Sequence, residues 1–276
     1  MITFPNAKIN TGLYITARRP DGYHDIVTAM VPTDWRDILE IVPAKGSEST
    51  LTVTGRGVDC PTEKNLVMKA FRAMESRYGL PPVDIYLQKI IPDGAGLGGG
   101  SADAAFTITA LNAMFNLGLD EATMASVAAT IGSDCPFFIY NRPMLATGTG
   151  TTLSPIEIDI KGYSLVIVKP RVHVSTAEAY GGCKPRPRSI DLPQVLAQCA
   201  PADWERSGVV NDFEATVFPR HEQIARVKSL LLYNTGADYA AMSGSGASVF
   251  ALFKRDILAE EIEAFFPEMD IHVSKL

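Results

Sequence analysis

The clearest pattern in the sequence is an alternating strand followed by two helical segments. Residues 83–91 alternate apolar and less apolar positions as far as Lys89, which is the period of a half-buried strand. Helical sequence then covers about 99–116. A second helix is predicted after the capping residue Asp120, with apolar side chains at helical spacing as far as Gly132.

The remainder of the chain mixes short strands with helices. The pattern predicts a turn and a strand pair over 134–152, a linker near 152–162, a strand over 164–168, an exposed loop with a short helix over 184–204, a helix over 221–233, strands over 237–241 and 247–253, and a final helix over 257–266. Clean alternation in the strands favours an α+β architecture with partly antiparallel sheets over a doubly wound parallel sheet.

Composition and charge narrow the classes of partner. The chain has 276 residues and a net charge of −6, which gives no electrostatic footprint for nucleic acid or an anionic membrane. We expect a cytoplasmic protein, because there is no signal peptide and no apolar run of membrane-spanning length. The four cysteines, Cys60, Cys135, Cys183 and Cys199, lack zinc-ligand spacing and are expected to be reduced thiols.

A glycine-rich loop, PDGAGLGGGS at 92–101, connects the predicted strand and helix. So many glycines cost conformational entropy, and the usual reason is close approach of the backbone to a ligand. Successive N–H groups then converge on an anion, and the N-terminus of the next helix adds a favourable dipole. Because a strand precedes the loop and a helix follows it, we interpret it as a phosphate-binding loop, not a flexible linker.

Two other phosphate motifs do not fit this context. Gly94–Gly99 matches the pattern GxGxxG, but a helix follows the first helix where a dinucleotide-binding fold needs a strand. No acidic residue ends a second strand at the spacing expected of a ribose ligand. The Walker pattern requires a lysine before serine or threonine, and this loop has no lysine.

The segment PDGAGLGGGSADAA at 92–105 closely resembles the phosphate loop of the GHMP kinases, the family of galactose, homoserine, mevalonate and phosphomevalonate kinases. Three further blocks resemble that family in the same order: AKIN at 7–10 with RPDGYH at 19–24, IGSDCPFF at 131–138, and MSGSGAS at 242–248. The chain departs from the family at Ala102, where a second serine is usual, and at Cys135, where valine is common. Neither change removes a charged group.

The resemblance implies an α+β, two-domain GHMP kinase fold, with an N-terminal ribosomal-protein-S5-domain-2-like domain and a C-terminal ferredoxin-like domain. We expect the ATP-binding domain over 1–155 and the second domain over 156–276.

The resemblance also implies ATP and Mg²⁺ as cofactors and assigns catalytic roles to Lys8 and Asp134. Asp134 would accept or orient the proton of the substrate hydroxyl, and Lys8 would stabilise transferred charge. From the residues alone, Asp134 could equally be a turn or cap residue and Lys8 a solvated charge. No carboxylate cluster predicts a dedicated metal site. The nucleotide-binding residues expected are Pro92, Asp93, Gly94, Ala95, Gly96, Leu97, Gly98, Gly99, Gly100, Ser101 and Ala102 in the loop, and Asn65 and Lys89 near adenine.

The triple glycine before Ser101 makes the resemblance narrower. With this feature, the chain resembles those members of the family that phosphorylate the 2-hydroxyl of a cytidine-diphosphate-linked methylerythritol in isoprenoid biosynthesis. The substrate-binding residues that this resemblance implies are Tyr23 and His24 at the cytosine, Tyr180 on the other face of that base, and Asn10. Tyr23 and His24 could instead simply follow a turn. Residues 243–248 are either a second nest of amides beside the phosphate loop or a hairpin turn, and the sequence leaves both open.

Two alternative functions remain at this stage. The chain could be another GHMP kinase, acting on homoserine or mevalonate, or a catalytically silent nucleotide sensor. For a kinase of either kind, the expected partner is a small-molecule substrate, here the cytidine-diphosphate-linked methylerythritol, and neither nucleic acid nor a membrane. We expect a monomer or a weak homodimer.

Overall fold

The computed structural model describes residues 1–57 and 60–276. Within them the β-strands are β1 Ile2–Thr3, β2 Asn6–Arg18, β3 His24–Arg36, β4 Ile38–Pro43, β5 Thr50–Gly55, β6 Val83–Lys89, β7 Met144–Gly148, β8 Thr152–Pro155, β9 Ser164–Lys169, β10 Tyr239–Met242, β11 Val249–Phe253 and β12 Asp270–Lys275. The helices are α1 Leu66–Tyr78, α2 Gly99–Met114, α3 Glu121–Ala129, α4 Cys135–Tyr140, α5 Thr176–Gly181, α6 Leu192–Gln198, α7 Pro201–Trp204, α8 Glu214–Val217, α9 Glu222–Tyr233 and α10 Ala259–Glu263. A 3₁₀ turn covers Thr62–Lys64.

The described residues divide into two compact units that do not follow chain order. The first unit comprises Met1–Ala7, Asp34–Asp93 and Gly98–Arg142, and the second comprises Lys8–Thr33, Gly94–Leu97 and Pro143–Leu276. The predicted boundary after residue 155 stays a prediction.

The first unit is built on a four-stranded sheet of order β1-β4-β6-β5, with β5 parallel to β6 and the other pairs antiparallel. Side chains along β6 alternate between buried and exposed positions, because only one face of this sheet is covered. The helix α2 packs against α1 and contacts β4. This alternation places Lys89, the last residue of β6, on the buried side.

The second unit contains most of a sheet of order β2-β3-β7-β8 and all of an antiparallel sheet of order β10-β11-β9-β12. All six residues of β9 are buried, which explains its continuous apolar sequence. The hydrophobic core of this unit includes Leu13 and Ile15 of β2, Val166 of β9, and Phe213 before α8. The mixture of helices and mainly antiparallel sheets confirms the predicted α+β class.

Most predicted elements are present, and three predictions need correction. The turn and strand expected directly after Asp134 is the helix α4, because Pro136 occupies the first turn, where its missing N–H costs nothing. The final helix is shorter than predicted and covers only Ala259–Glu263. The linker expected near 152–162 begins with β8 at Thr152. The strand β12 was not predicted.

Candidate active site

The glycine-rich loop leaves β6 and enters α2 through a series of left-handed turns. Gly94, Gly96 and Gly98 have φ of 58°, 75° and 72°, which residues with a Cβ rarely adopt. Gly98 occupies the N-cap of α2, and no side-chain bond caps that end of the helix in the described residues. A 16-residue helix therefore begins at the loop with its first amides not capped by a side chain, as an anion site requires.

The turn 243–248 supports the middle of this loop. A Cβ on Gly96 would collide with the carbonyl oxygen of Ser243, so the backbones meet at a distance that only glycine allows. The Ser243 hydroxyl donates a 2.9 Å bond to the Gly96 carbonyl oxygen, and the Ser248 amide donates a 3.1 Å bond to that of Ala95. The same turn joins the antiparallel strands β10 and β11. The turn therefore joins two strands and lies beside the phosphate loop, whereas a nest of amides at 243–248 stays a prediction.

Lys8 reaches the same part of the loop from β2. Its side chain is 3% exposed, and its ammonium donates to the Asn10 Oδ1 at 2.5 Å and to the Gly96 carbonyl oxygen at 3.1 Å. The Lys8 amide donates to the Leu97 carbonyl oxygen at 2.9 Å. Lys8 is not a solvated surface charge, because it is buried and held by specific partners.

Asn10 is fixed on three sides. Its amide N–H donates to the Ser243 hydroxyl at 3.2 Å, and its side-chain Nδ2 donates to the Thr28 Oγ1 at 3.1 Å. Thr28 in turn donates to the Gly12 carbonyl oxygen at 2.6 Å. These neighbours therefore orient the side-chain carbonyl oxygen of Asn10 toward the Lys8 ammonium.

Asp134 belongs to the first unit and stands at the N-cap position of α4. Its backbone is helical, and its side chain accepts no capping bond from that helix. The capping role that the sequence left open is therefore not the role of this carboxylate.

Cys135 directly follows Asp134 in the sequence, and its thiol is influenced by Ser101. Burial raises the pKa of that thiol to about 11, so it stays protonated at neutral pH. The Ser101 side chain, in the first turn of α2, acts to lower the pKa of the Cys135 thiol. A buried, protonated thiol thus stands where valine is common in the family.

Asn65 and Lys89, predicted near adenine, line one cavity of about 150 Å³ in the first unit. Asn65 caps α1, with its Oδ1 accepting from the Val67 amide at 2.9 Å. Lys89 donates to the carboxylates of Asp37 and Asp103, so its ammonium already has two partners. The other residues lining this cavity are Cys60, Lys64, Leu66, Leu87, Asp93, Gly100 and Asp103.

The aromatic residues predicted at the cytosine are only partly together. The rings of His24 and Tyr180 stack on each other, with centroids 4.9 Å apart and planes at 23°. The Tyr180 and Phe213 rings are nearly perpendicular, with centroids 4.8 Å apart, and Tyr23 is 67% exposed. His24 therefore covers one face of the Tyr180 ring.

Sequence reasoning missed several residues around the loop. His173 lies against Gly94, where a Cβ would come within 2.8 Å of the imidazole. Asn211 donates to the carbonyl oxygens of Met242 and Gly244 at 2.7 and 2.8 Å and so braces the supporting turn. Asp103 had an available signal, because it is the one charged residue in the sequence of α2.

Two searches of the described residues define what the chain lacks there. No group of three or more His, Cys, Asp or Glu side chains is arranged to hold a metal ion in 1–57 and 60–276. Over the same ranges, no helix combines the length and the apolar character that crossing a membrane demands.

Comparisons with known proteins agree with this geometry. The family model for the GHMP kinases N terminal domain matches residues 65–142, and that for the GHMP kinases C terminal region matches 196–272. A 4-diphosphocytidyl-2-C-methyl-D-erythritol kinase from Parabacteroides distasonis is 49% identical over 265 residues, 96% of each chain. The enzyme of the same name from Bacteroides fragilis is 47% identical over 270 residues, covering 96% of this chain and 97% of that protein.

Solved structures show the same relationship. A crystal structure of 4-(cytidine 5'-diphospho)-2C-methyl-D-erythritol kinase has a TM-score of 0.81 at 28% identity, covering 99% of this chain and 98% of that one. A homoserine kinase from Cytophaga hutchinsonii has a TM-score of 0.70 at 19% identity, with coverage of 99% and 95%, and this likeness shows the fold alone. The chain therefore belongs to the GHMP kinase family and, within it, to the 4-diphosphocytidyl-2-C-methyl-D-erythritol kinases.

Proposed function

We propose that the protein transfers the γ-phosphoryl group of ATP to the 2-hydroxyl of 4-diphosphocytidyl-2-C-methyl-D-erythritol. The relatives named above support the substrate. The observation that carries the proposal is the buried Lys8 ammonium, bonded to the carbonyl oxygen of Gly96 in a loop built for a phosphate.

The loop residues Pro92–Ala102 bind the triphosphate. Phosphoryl transfer needs positioning and charge stabilisation more than covalent chemistry from the protein. The left-handed glycines turn backbone amides toward one region, and the start of α2 adds its dipole. The Ser101 hydroxyl contributes a further hydrogen bond to phosphate.

Lys8 and Asp134 act on the reacting groups. The substrate hydroxyl oxygen forms a bond to the γ-phosphorus as the bond from that phosphorus to ADP breaks. The hydroxyl proton passes to the Asp134 carboxylate, which either removes it early or stabilises the charge as it develops. Lys8 stabilises the transferred negative charge, held in place by Asn10 and Gly96.

Asn10, Tyr23, His24 and Tyr180 bind the cytidine-linked substrate. A base stacks on an aromatic ring about 3.5 Å away, so the observed His24–Tyr180 stack must open for the base to reach Tyr180. Displacing one ring by another leaves the stacking area of Tyr180 covered in both states. Asn65 and Lys89 contribute to the adenine end through the cavity that they line.

Magnesium accompanies ATP in this proposal. The described residues contain no ready-made cluster of metal ligands, which fits an ion held mainly by the phosphates themselves. When bound, Mg²⁺ neutralises phosphate charge and supports the leaving of ADP. We also propose a cytoplasmic protein that is a monomer or weak homodimer and binds no nucleic acid, in line with its net charge of −6.

An ADP-release assay with purified, folded protein tests the proposal. The expected result is turnover with 4-diphosphocytidyl-2-C-methyl-D-erythritol and at least about a hundredfold lower kcat/KM with homoserine or mevalonate, which leave the cytidine contacts unused. CMP and CDP should compete with the acceptor. ATP binding without turnover on any of these acceptors would instead support the silent sensor.

A further inference from the structure

Three buried charged side chains meet in the first unit, directly under the ends of the glycine loop. Lys89 ends β6, Asp37 precedes β4, and Asp103 lies in the first turns of α2. The Lys89 ammonium donates to the Oδ2 of Asp37 and, at 2.7 Å, to the Oδ2 of Asp103. The exposed fractions of Lys89, Asp37 and Asp103 are 5%, 0% and 2%, so two carboxyl groups share one ammonium away from water.

The hydrogen bonds of the cluster satisfy one carboxyl group fully and the other only in part. The Oδ1 of Asp37 accepts from the amides of Ile90 at 2.5 Å and Ile91 at 2.8 Å. The Oδ1 of Asp103 is buried and has no hydrogen-bond partner in the described residues. Two ionised carboxylates would also leave a net negative charge in a dry site, which is costly. A proton on Asp103 removes this net charge.

The electrostatic environment of Asp103 favours the same proton. Burial raises the pKa of Asp103 to about 7, the Asp37 charge adds to this, and the Lys89 charge opposes it. Other titratable groups around it are Cys60, Lys64 and Asp93 along the cavity and the buried Cys135 of α4. The charged side chains of the other elements packed against α2 are exposed or half-buried, namely Lys69, Arg72, Glu75 and Arg77 of α1, Glu121 of α3 and Glu40 of β4.

The cluster joins the two chain segments that flank the loop. Asp37 holds the amides of Ile90 and Ile91 just before it, and Asp103 holds the helix that follows it. The two segments also pack closely, since a Cβ on Gly99 would lie 3.0 Å from the Ile91 side chain. A change in the charge of this cluster therefore acts on both ends of the loop.

We infer that Lys89, Asp37 and Asp103 form a positioning cluster that fixes both ends of the phosphate loop, with a proton held on Asp103. Loss of this proton places a net negative charge beneath an anion-binding loop and weakens nucleotide binding. The weaker binding of ATP rests on the proposed function, whereas the proton on Asp103 and the contacts of the cluster with both ends of the loop do not.

Unfolding in urea tests the proton without any activity measurement. The folded state holds a proton on Asp103 that the unfolded chain releases, so the stability contributed by Asp103 is full below about pH 4 and is lost as pH rises to about 7. Asp103→Asn mimics the neutral acid and cannot titrate. Its urea midpoint should therefore rise relative to the wild type across this window. Asp34→Asn, which removes an exposed carboxylate of the same unit, is the matched control. A difference between Asp103→Asn and the wild type that does not change with pH overturns the proton on Asp103.

Binding of ATP tests the coupling to the loop. The ratio of the wild-type Kd to the Asp103→Asn Kd cancels the titration of ATP itself, and it should rise about fivefold between about pH 6 and about pH 8.5. A flat ratio, with the unfolding titration present, overturns the effect on the loop. Undetectable ATP binding by both proteins contradicts the proposed function, and the unfolding experiment still decides the proton.

Discussion

The buried ammonium of Lys8 donates a 3.1 Å hydrogen bond to the carbonyl oxygen of Gly96, inside a glycine loop that contains no lysine. The strand β2 therefore supplies the cation that this loop lacks. A second bond, from the Lys8 amide to the Leu97 carbonyl oxygen, fixes the strand to the loop through the backbone. The Lys8 ammonium is thus held at the loop by a backbone hydrogen bond as well as by its own side-chain bond.

Replacing Lys8 with Met should lower kcat by about a thousandfold, because a preorganised positive charge is lost from the transition state. Steady-state kinetics measure kcat, and a fluorescent ATP analogue should still bind within about tenfold of the wild type. Lys161→Met, at an exposed lysine of the same unit, is the matched control and should leave kcat unchanged. Near-normal kcat in Lys8→Met contradicts the assigned role.

Replacing Asp134 with Asn should lower kcat by about a hundredfold to ten-thousandfold through loss of the proton acceptor. Because no capping bond to α4 is lost and asparagine keeps the shape of the side chain, we expect the protein to stay folded. Urea unfolding monitored by circular dichroism checks the second expectation. A large loss of stability with normal turnover per folded molecule would show a structural role instead.

Replacing Gly96 with Ala should lower the free energy of unfolding by more than about 2 kcal/mol and weaken ATP binding at least about tenfold, because both φ of 75° and the Ser243 carbonyl exclude a Cβ. Gly162→Ala is the matched control. Gly162 has φ of 84° but nothing within 4 Å of an added Cβ, so it should show only the strain, about 1 kcal/mol. Equal losses in the two variants would exclude the close contact as the cause.

Asn65 allows its cap to be separated from its proposed contact with ATP. Asn65→Ala should lower the free energy of unfolding by about 1 kcal/mol, since the bond from the Val67 amide is lost. Asn65→Asp keeps that acceptor and removes the amide donor. It should keep the stability and raise KM for ATP several-fold. An unchanged KM in Asn65→Asp would leave Asn65 as a cap alone.

Replacing Tyr180 with Leu should weaken CDP binding by about tenfold or more, because stacking on a base contributes about 1–3 kcal/mol. Isothermal titration calorimetry measures this, and ATP binding should not change. Tyr180→Phe keeps the ring and should bind CDP like the wild type. If both variants bind equally well, Tyr180 does not stack on the base.

The sequence predicted those parts of the fold that local patterns determine. The period of two places β6, and Asp120 caps α3 through its bond from the Thr123 amide. The predicted glycine stops lie beyond the ends of α2 and α3, whose C-caps are Phe115 and Thr130. The prediction of a turn and strand at α4 was wrong because the sequence Asp-Cys-Pro is typical both of a turn and of the start of a helix. Only the burial of Phe137 and Phe138 decides between them.

Long-range pairing explains what the sequence could not predict. Asp37 and Asp103 are 66 positions apart and meet only through Lys89, so no local pattern joins them. Charged residues are rarely buried, which argues against such a cluster before the fold is known. The His24–Tyr180 stack depends in the same way on residues distant in the chain.

The phosphorylated product tests the central claim most directly. The protein is incubated with ATP, Mg²⁺ and 4-diphosphocytidyl-2-C-methyl-D-erythritol, and ³¹P NMR follows the phosphorus signals. The account predicts a new phosphomonoester signal on the acceptor, coupled to the carbon that bears the 2-hydroxyl and equal in amount to the ADP formed. ADP formed without that signal, or a phosphate on another oxygen, would contradict it.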